Sequence, residues 1–193
     1  MTQQADPVQR AVSYLRHLGS KGSQELQSQM QRTAADWQRC LQGMTEEQAG
    51  FQPPATGNSS GSPAGGEGPK WCAKEVIGHF LASERSLNRQ VAALAGVEPP
   101  SGPAPAVRAM GVQSTEDEAL PLDSLREKLA AFFQETRVLI VALESGANLD
   151  RTFPHPVFGQ LNPKEWMAFH RIHAMDHIQQ IDKVKGAPGY PAG

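Results

Sequence analysis

The chain has 193 residues, enough for one domain with a substantial hydrophobic core and scarcely enough for two. Its 18 Lys and Arg against 20 Asp and Glu leave a formal net charge of −2, with no basic run, so nothing marks a nucleic-acid or anionic membrane partner. No apolar stretch is long enough to span a bilayer, and residues 1–20 lack the apolar centre of a secretory signal. The two cysteines, Cys40 and Cys72, lie far apart with no C-x-x-C partner, so the expectation is a soluble cytoplasmic protein with two reduced, buried thiols.

In chain order, Pro7 suits the first turn of a short helix that ends near Gly19, with Val8, Val12 and Leu15 as its apolar stripe. From Gln24 to Gly43, Leu26, Met30, Ala34, Trp37 and Leu41 recur every three or four residues, which predicts a long amphipathic helix. Met44 to Lys70 is irregular. Thr45 to Gln48 reads as a capped turn before Phe51 docks, and 57–68 (GNSSGSPAGGEG) as a flexible surface loop.

A second long helix is predicted from Lys70 to Gly96. With His79 at zero on its wheel, Val76, Phe80, Leu87, Val91 and Leu94 fall between about 60° and about 120°. His79 therefore stands at the edge of the apolar stripe, and this helix alone leaves it either inward-facing or at the solvent boundary. Residues 97–120 form a Pro-rich linker that turns polar and acidic. A further helix runs from about Leu122 to Glu144, with Asp123 or Ser124 as its expected cap. From Gly146 to Leu161 the chain returns across the molecule, with Phe153, Pro154, Pro156 and Phe158 as docking anchors and no useful strand alternation.

Asn162 then caps the last helix, with Pro163 in its first turn and Glu165 at the third position. These elements make an all-α four-helix bundle with a short extra N-terminal helix, a single domain over 1–193 whose core covers about residues 24–185.

The last helix carries the chemistry. With His173 at zero, Trp166 falls at about 20°, Phe169 at about −40°, His177 at about 40°, Gln180 at about −20° and Val184 at about 20°. His173 and His177 thus sit on the face that Trp166, Phe169, Ile181 and Val184 bury. A single buried histidine is ordinarily satisfied by a carbonyl or a carboxylate. Two of them one turn apart on the apolar face are more economically explained by a shared cation, because residues i and i+4 can grip one ion from one side. His170, at about 60° on the same stripe, is a third ligand, a supporting donor or a flanking residue. A ligand from a facing helix would complete the set. His79 is the best candidate, since His17 lies on the short first helix and His155 in a Pro-flanked loop.

Three groups of residues resemble the DinB/YfiT-like superfamily of metal-dependent helical bundles. They are Trp71, Glu75 and His79 opening the second long helix; Phe158, Gly159, Leu161, Glu165 and Trp166 leading into the last; and His173, His177, Gln180 and Ile181 within it. The resemblance spans roughly Gln24 to Lys185. It implies a divalent metal held by His79, His173 and His177, frequent homodimers, a small-molecule substrate, and activities of hydrolase type or of transferase and isomerase type that use a low-molecular-weight thiol. The loop before Trp71 and the linker after Gly96 depart from the usual pattern and flank the expected mouth.

Gln180 and Ser83 are candidates to brace ligand imidazoles or a metal-bound water. Glu84, about 140° from His79, reads as a solvated or interhelical charge, and Asp176 as a surface residue. An all-imidazole site favours nickel or zinc over magnesium or calcium. The leading expectation is a metalloenzyme, a hydrolase or a thiol-dependent transferase. Its alternatives are a non-enzymatic metal-binding or stress-linked interaction module, and a plain bundle whose histidines are hydrogen-bonded core residues.

Overall fold

The computed structural model describes residues 6–54, 71–100, 117, 119–146 and 148–192. The predicted Gly/Ser-rich loop 57–68 and most of the Pro-rich stretch 97–120 lie outside them.

Helix α1 (Pro7–Gly19) begins as Pro7 dictates, with the Asp6 carboxylate accepting from the Val8 N–H. Helix α2 (Ser23–Leu41) buries Leu26, Met30, Trp37 and Leu41, the predicted stripe. The capped turn at Thr45 is a short helix, α3 (Glu46–Ala49), in which Gln48 N donates to Thr45 Oγ1 at 3.2 Å and Thr45 N to Gln48 Oε1 at 3.0 Å. Phe51 packs edge-on against Tyr190 near the C-terminus, with ring centroids 5.5 Å apart.

Helix α4 (Ala73–Ala95) starts where the Glu75 carboxylate accepts the Cys72 N–H at 2.6 Å. It stops at Gly96, whose φ of 72° is left-handed and strains any residue with a Cβ. Helix α5 (Leu122–Ala142) follows and tightens into a 3₁₀ turn at Leu143–Ser145. Neither Asp123 nor Ser124 caps α5. The helix begins at Leu122 as expected but is preceded by Pro121 at the cap position, and the orphan N–H of Leu122 donates to Glu46 Oε2 at 2.7 Å. The short α3 therefore supplies the cap, a long-range solution that local sequence does not display.

Two three-residue strands, β1 (Phe153–His155) and β2 (Gly159–Leu161), form an antiparallel ribbon with Phe153 opposite Leu161 and His155 opposite Gly159. Strands this short carry too little alternation to be read from sequence. Their period of two corrects the expected anchors. Phe153 and His155 face inward, Phe153 stacking on Trp166 at 4.2 Å, while Pro154 and Pro156 are exposed.

Helix α6 (Pro163–Lys185) opens on the predicted reciprocal cap, Glu165 N to Asn162 Oδ1 and Asn162 N to Glu165 Oε2, both at 2.9 Å. It packs against α4, α2 and α1, and α5 closes the ring against α2 and α4. The extra helix α1 lies on α6 so closely that a Cβ on Gly19 would stand 2.6 Å from Glu165 Cγ. The fold is an all-α bundle of four long helices with an N-terminal addition. Trp37, Phe80 and Phe132 lie fully buried at its centre. No helix among the described residues is long and apolar enough to cross a membrane.

Candidate metal centre

His79 comes from the second turn of α4, and His173 and His177 from consecutive turns of α6. One ring nitrogen from each lies within 4.8 Å of the other two. The closest pair is His173 Nε2 and His177 Nε2, at 2.9 Å. His79 thus faces inward, 8% exposed. Trp71 leans over His79 with centroids 5.0 Å apart, Phe169 stacks on His173 at 5.5 Å, and Phe80 packs on both His173 and His177 at 5.9 and 5.8 Å. The nitrogens are therefore held in an aromatic, poorly hydrated shell, where electrostatic interactions are strengthened.

What stands behind each ring decides what the cluster can hold. His173 Nδ1 meets Glu84 Oε1, which serves as an acceptor as long as that oxygen carries no proton itself, so His173 carries its proton on Nδ1. His177 Nδ1 lies 3.3 Å from Gln180 Oε1, a contact that matches the same tautomer. In that tautomer the two Nε2 lone pairs face one another across 2.9 Å. A shared cation relieves that repulsion. A tetrahedral zinc with Zn–N of about 2.0–2.1 Å sets its ligand nitrogens roughly 3.3 Å apart, inside the spread of the cluster. The donor set fits a divalent metal ion.

Gln180 thus stands where the helical phase put it. Ser83 Oγ is 3.5 Å from His79 Nε2, at the limit of a hydrogen bond. His170 is not part of the cluster. Its ring turns the other way, with Nε2 2.9 Å from Asn88 Oδ1 and Nδ1 against Glu84 Oε2. Burial pushes the His170 imidazole down to about 3, and nearby His173 pushes in the same direction, so it is neutral at physiological pH.

Glu84 is the residue that the sequence reading undervalued. It is interhelical, as one branch of that reading held, but it is fully buried between α4 and α6 and touches two imidazoles. Its wheel position lay outside the apolar stripe because α4 packs against both α5 and α6, which widens its buried face. The available signal was the row Phe80, Glu84, Asn88, three residues one turn apart and all buried. Asp176 is partly exposed, in keeping with a position at the surface.

Both cysteines are free and buried, and burial pushes each thiol up to about 11. Neither offers a thiolate near neutral pH.

His155 lies in the ribbon, away from the three-histidine cluster, 4.7 Å from Phe169 by ring centroids. Its Nδ1 accepts the N–H groups of Val157 and Phe158 at 3.1 and 3.2 Å, which ties the turn. Burial pushes its imidazole from 6.5 down to about 4. A folded pKa below the unfolded one means that the unfolded chain takes up the proton first as pH falls. The associated stability is complete above about pH 6.5 and is lost progressively down to about pH 4, some 2 kcal/mol after allowing for residual solvation. The stability lost in urea titrations between pH 7 and 4.5 should shrink by about that amount in His155→Asn. An equal loss in both proteins would refute a neutral, buried His155.

No curated protein matches the chain. The family model described as the DinB superfamily matches residues 29–181. Helices α4 and α5, most of α2 and α6, and all three clustered histidines fall within that span, and the chain belongs to the DinB superfamily.

Proposed function

We propose that the protein is a metal-dependent enzyme that binds one divalent transition ion, nickel or zinc, through His79, His173 and His177, and that it carries out hydrolysis or transfer of a low-molecular-weight thiol. The observation that carries this reading is the pair of Nε2 atoms facing each other at 2.9 Å with both Nδ1 atoms engaged elsewhere. A bound ion of this kind acidifies a water or thiol on it and polarises an electrophile.

The chain's own residues prepare the ground. Three neutral imidazoles leave a coordination position open, as catalytic sites do and closed structural sites do not. Glu84 and Gln180 hold the rings of His173 and His177, while Trp71, Phe80 and Phe169 keep bulk water from the nitrogens. His79 and His173 keep slight exposure and His177 none, which favours approach of a small molecule from the His79–His173 side. With Cys40 and Cys72 buried and protonated, any thiol chemistry has to use an external thiol. A cytoplasmic setting, a small-molecule substrate and pairing of two copies belong to the same reading.

The test joins elemental analysis of the purified protein with turnover screens of ester, amide and electrophilic substrates, each with a thiol and with water alone. Stoichiometric zinc or nickel in the wild type and turnover that depends on it are expected. Metal without turnover under any condition would favour the non-enzymatic metal-binding module. Equal metal content in wild type and His173→Ala would refute the site.

A further inference from the structure

Behind His173 runs a buried chain of polar groups that crosses three helices. Thr136 of α5 donates its hydroxyl to Phe132 O at 2.9 Å, which leaves Oγ1 to accept from Asn88 Nδ2 of α4 at 2.8 Å. That fixes the Asn88 amide, so Oδ1 faces His170 Nε2 of α6 at 2.9 Å and His170 donates. His170 Nδ1 then meets Glu84 Oε2, and Glu84 Oε1 meets His173 Nδ1. Thr136, His170 and Glu84 are wholly buried and Asn88 nearly so. Four polar side chains in an apolar bundle each carry a desolvation cost, which a better-packed apolar set would avoid.

We propose that Glu84, steadied by His170, Asn88 and Thr136, is the positioning residue of the three-histidine site, and that it acts by hydrogen-bond direction rather than by charge. The inference rests on the metal reading above. Counting donors and acceptors gives the direction. His170 has spent its N–H on Asn88, so its Nδ1 and Glu84 Oε2 would be two acceptors in contact unless one proton lies between them. With that proton in place, Glu84 offers one donor-bearing oxygen to His170 and one acceptor to His173. A glutamine has the same pattern, its Oε1 for His173 Nδ1–H and its Nε2–H for His170 Nδ1. Leucine has neither. Helix α5, which supplies no ligand, thereby holds a ligand through the chain.

The experiment titrates zinc into chelator-stripped wild type, Glu84→Gln, Glu84→Leu and Asn88→Leu by calorimetry, and records the melting temperature of each stripped protein. Glu84→Gln should bind within about threefold of wild type. Glu84→Leu should bind about 10- to 100-fold more weakly, the usual effect of removing a group that orients a metal-bound histidine. Asn88→Leu should fall between them. Stripped Glu84→Leu should melt below stripped wild type, because it leaves His173 Nδ1 and His170 Nδ1 buried without their partner, while stripped Glu84→Gln should melt close to wild type. Recovery of metal affinity by glutamine, together with the protonation site of His173, separates positioning from a structural role.

Long-range ¹⁵N NMR of the wild type gives an independent reading if Glu84→Leu does not fold. It should show His173 protonated at Nδ1 and His170 protonated at Nε2. Glutamine binding as weakly as leucine would overturn the claim that direction matters and charge does not. Leucine binding as tightly as wild type, or His173 protonated at Nε2, would overturn the positioning role. Wild type that takes up no zinc would remove the metal reading itself, and this inference with it.

Discussion

Alanine at His177 is expected to weaken zinc or nickel binding by about a hundredfold or more. Apparent binding energies of structural zinc sites are about 10–16 kcal/mol, so one imidazole of a small ligand set carries roughly 3 kcal/mol, and each 1.4 kcal/mol is tenfold in affinity. His177 is the ligand with the least freedom to be replaced by water, being fully buried, packed on Phe80 and held through Nδ1 by Gln180. The effect should appear twice. Calorimetry on stripped protein should lose the tight isotherm. Melting should lose the gap between loaded and stripped forms, which for wild type at a hundredfold excess over Kd corresponds to about 2.7 kcal/mol. Magnesium should leave both proteins unchanged, since a hard cation gains little from imidazole. If the histidines were merely hydrogen-bonded core residues, His177→Ala would lower stability and leave the response to zinc as it was.

Much of this site is legible in the sequence. Asn162, Pro163 and Glu165 set the start of α6, and with the start fixed the 3.6-residue repeat fixed which way His173 and His177 look. The phase of α4 left His79 undecided, because an edge position on one helix becomes inward only when the neighbour is known. Glu84 was harder still. Its burial depends on α4 being flanked on two sides, a property of the bundle and not of the helix. Polar residues at i, i+4 spacing from a buried aromatic were the only local trace. The cap of α5 and the β1–β2 ribbon were unreadable for a related reason. The Leu122 N–H is satisfied by Glu46, far away in sequence, and three-residue strands are too brief for a period to show. Apolar character alone marks Pro154 and Pro156 as anchors, but the pleat of the ribbon leaves both exposed and turns His155 inward instead.

Phe80→Ala is expected to remove about 3–5 kcal/mol of stability, the range for truncating a well-packed buried aromatic. The position follows His79 directly on α4, so the helical step that aims the histidine at the cluster sends Phe80 into the centre of the bundle. Its ring touches Trp37 of α2 at 4.9 Å, Phe132 and Phe133 of α5 at 5.6 and 6.2 Å, and both His173 and His177 of α6. All four long helices therefore meet on one side chain. Collapse into the vacated space would require several of them to move, which places the cost at the upper part of that range. Because the same ring backs two of the three histidines, the zinc affinity of Phe80→Ala should fall as well, even where the protein is still folded. Val138→Ala on α5, a residue 61% exposed, provides the comparison and should shift stability by no more than about 0.5 kcal/mol. Urea denaturation of the stripped proteins measures both. A Phe80→Ala midpoint close to that of Val138→Ala would mean that the four helices are not joined through this ring, and the account of how the bundle holds its histidines would fail with it.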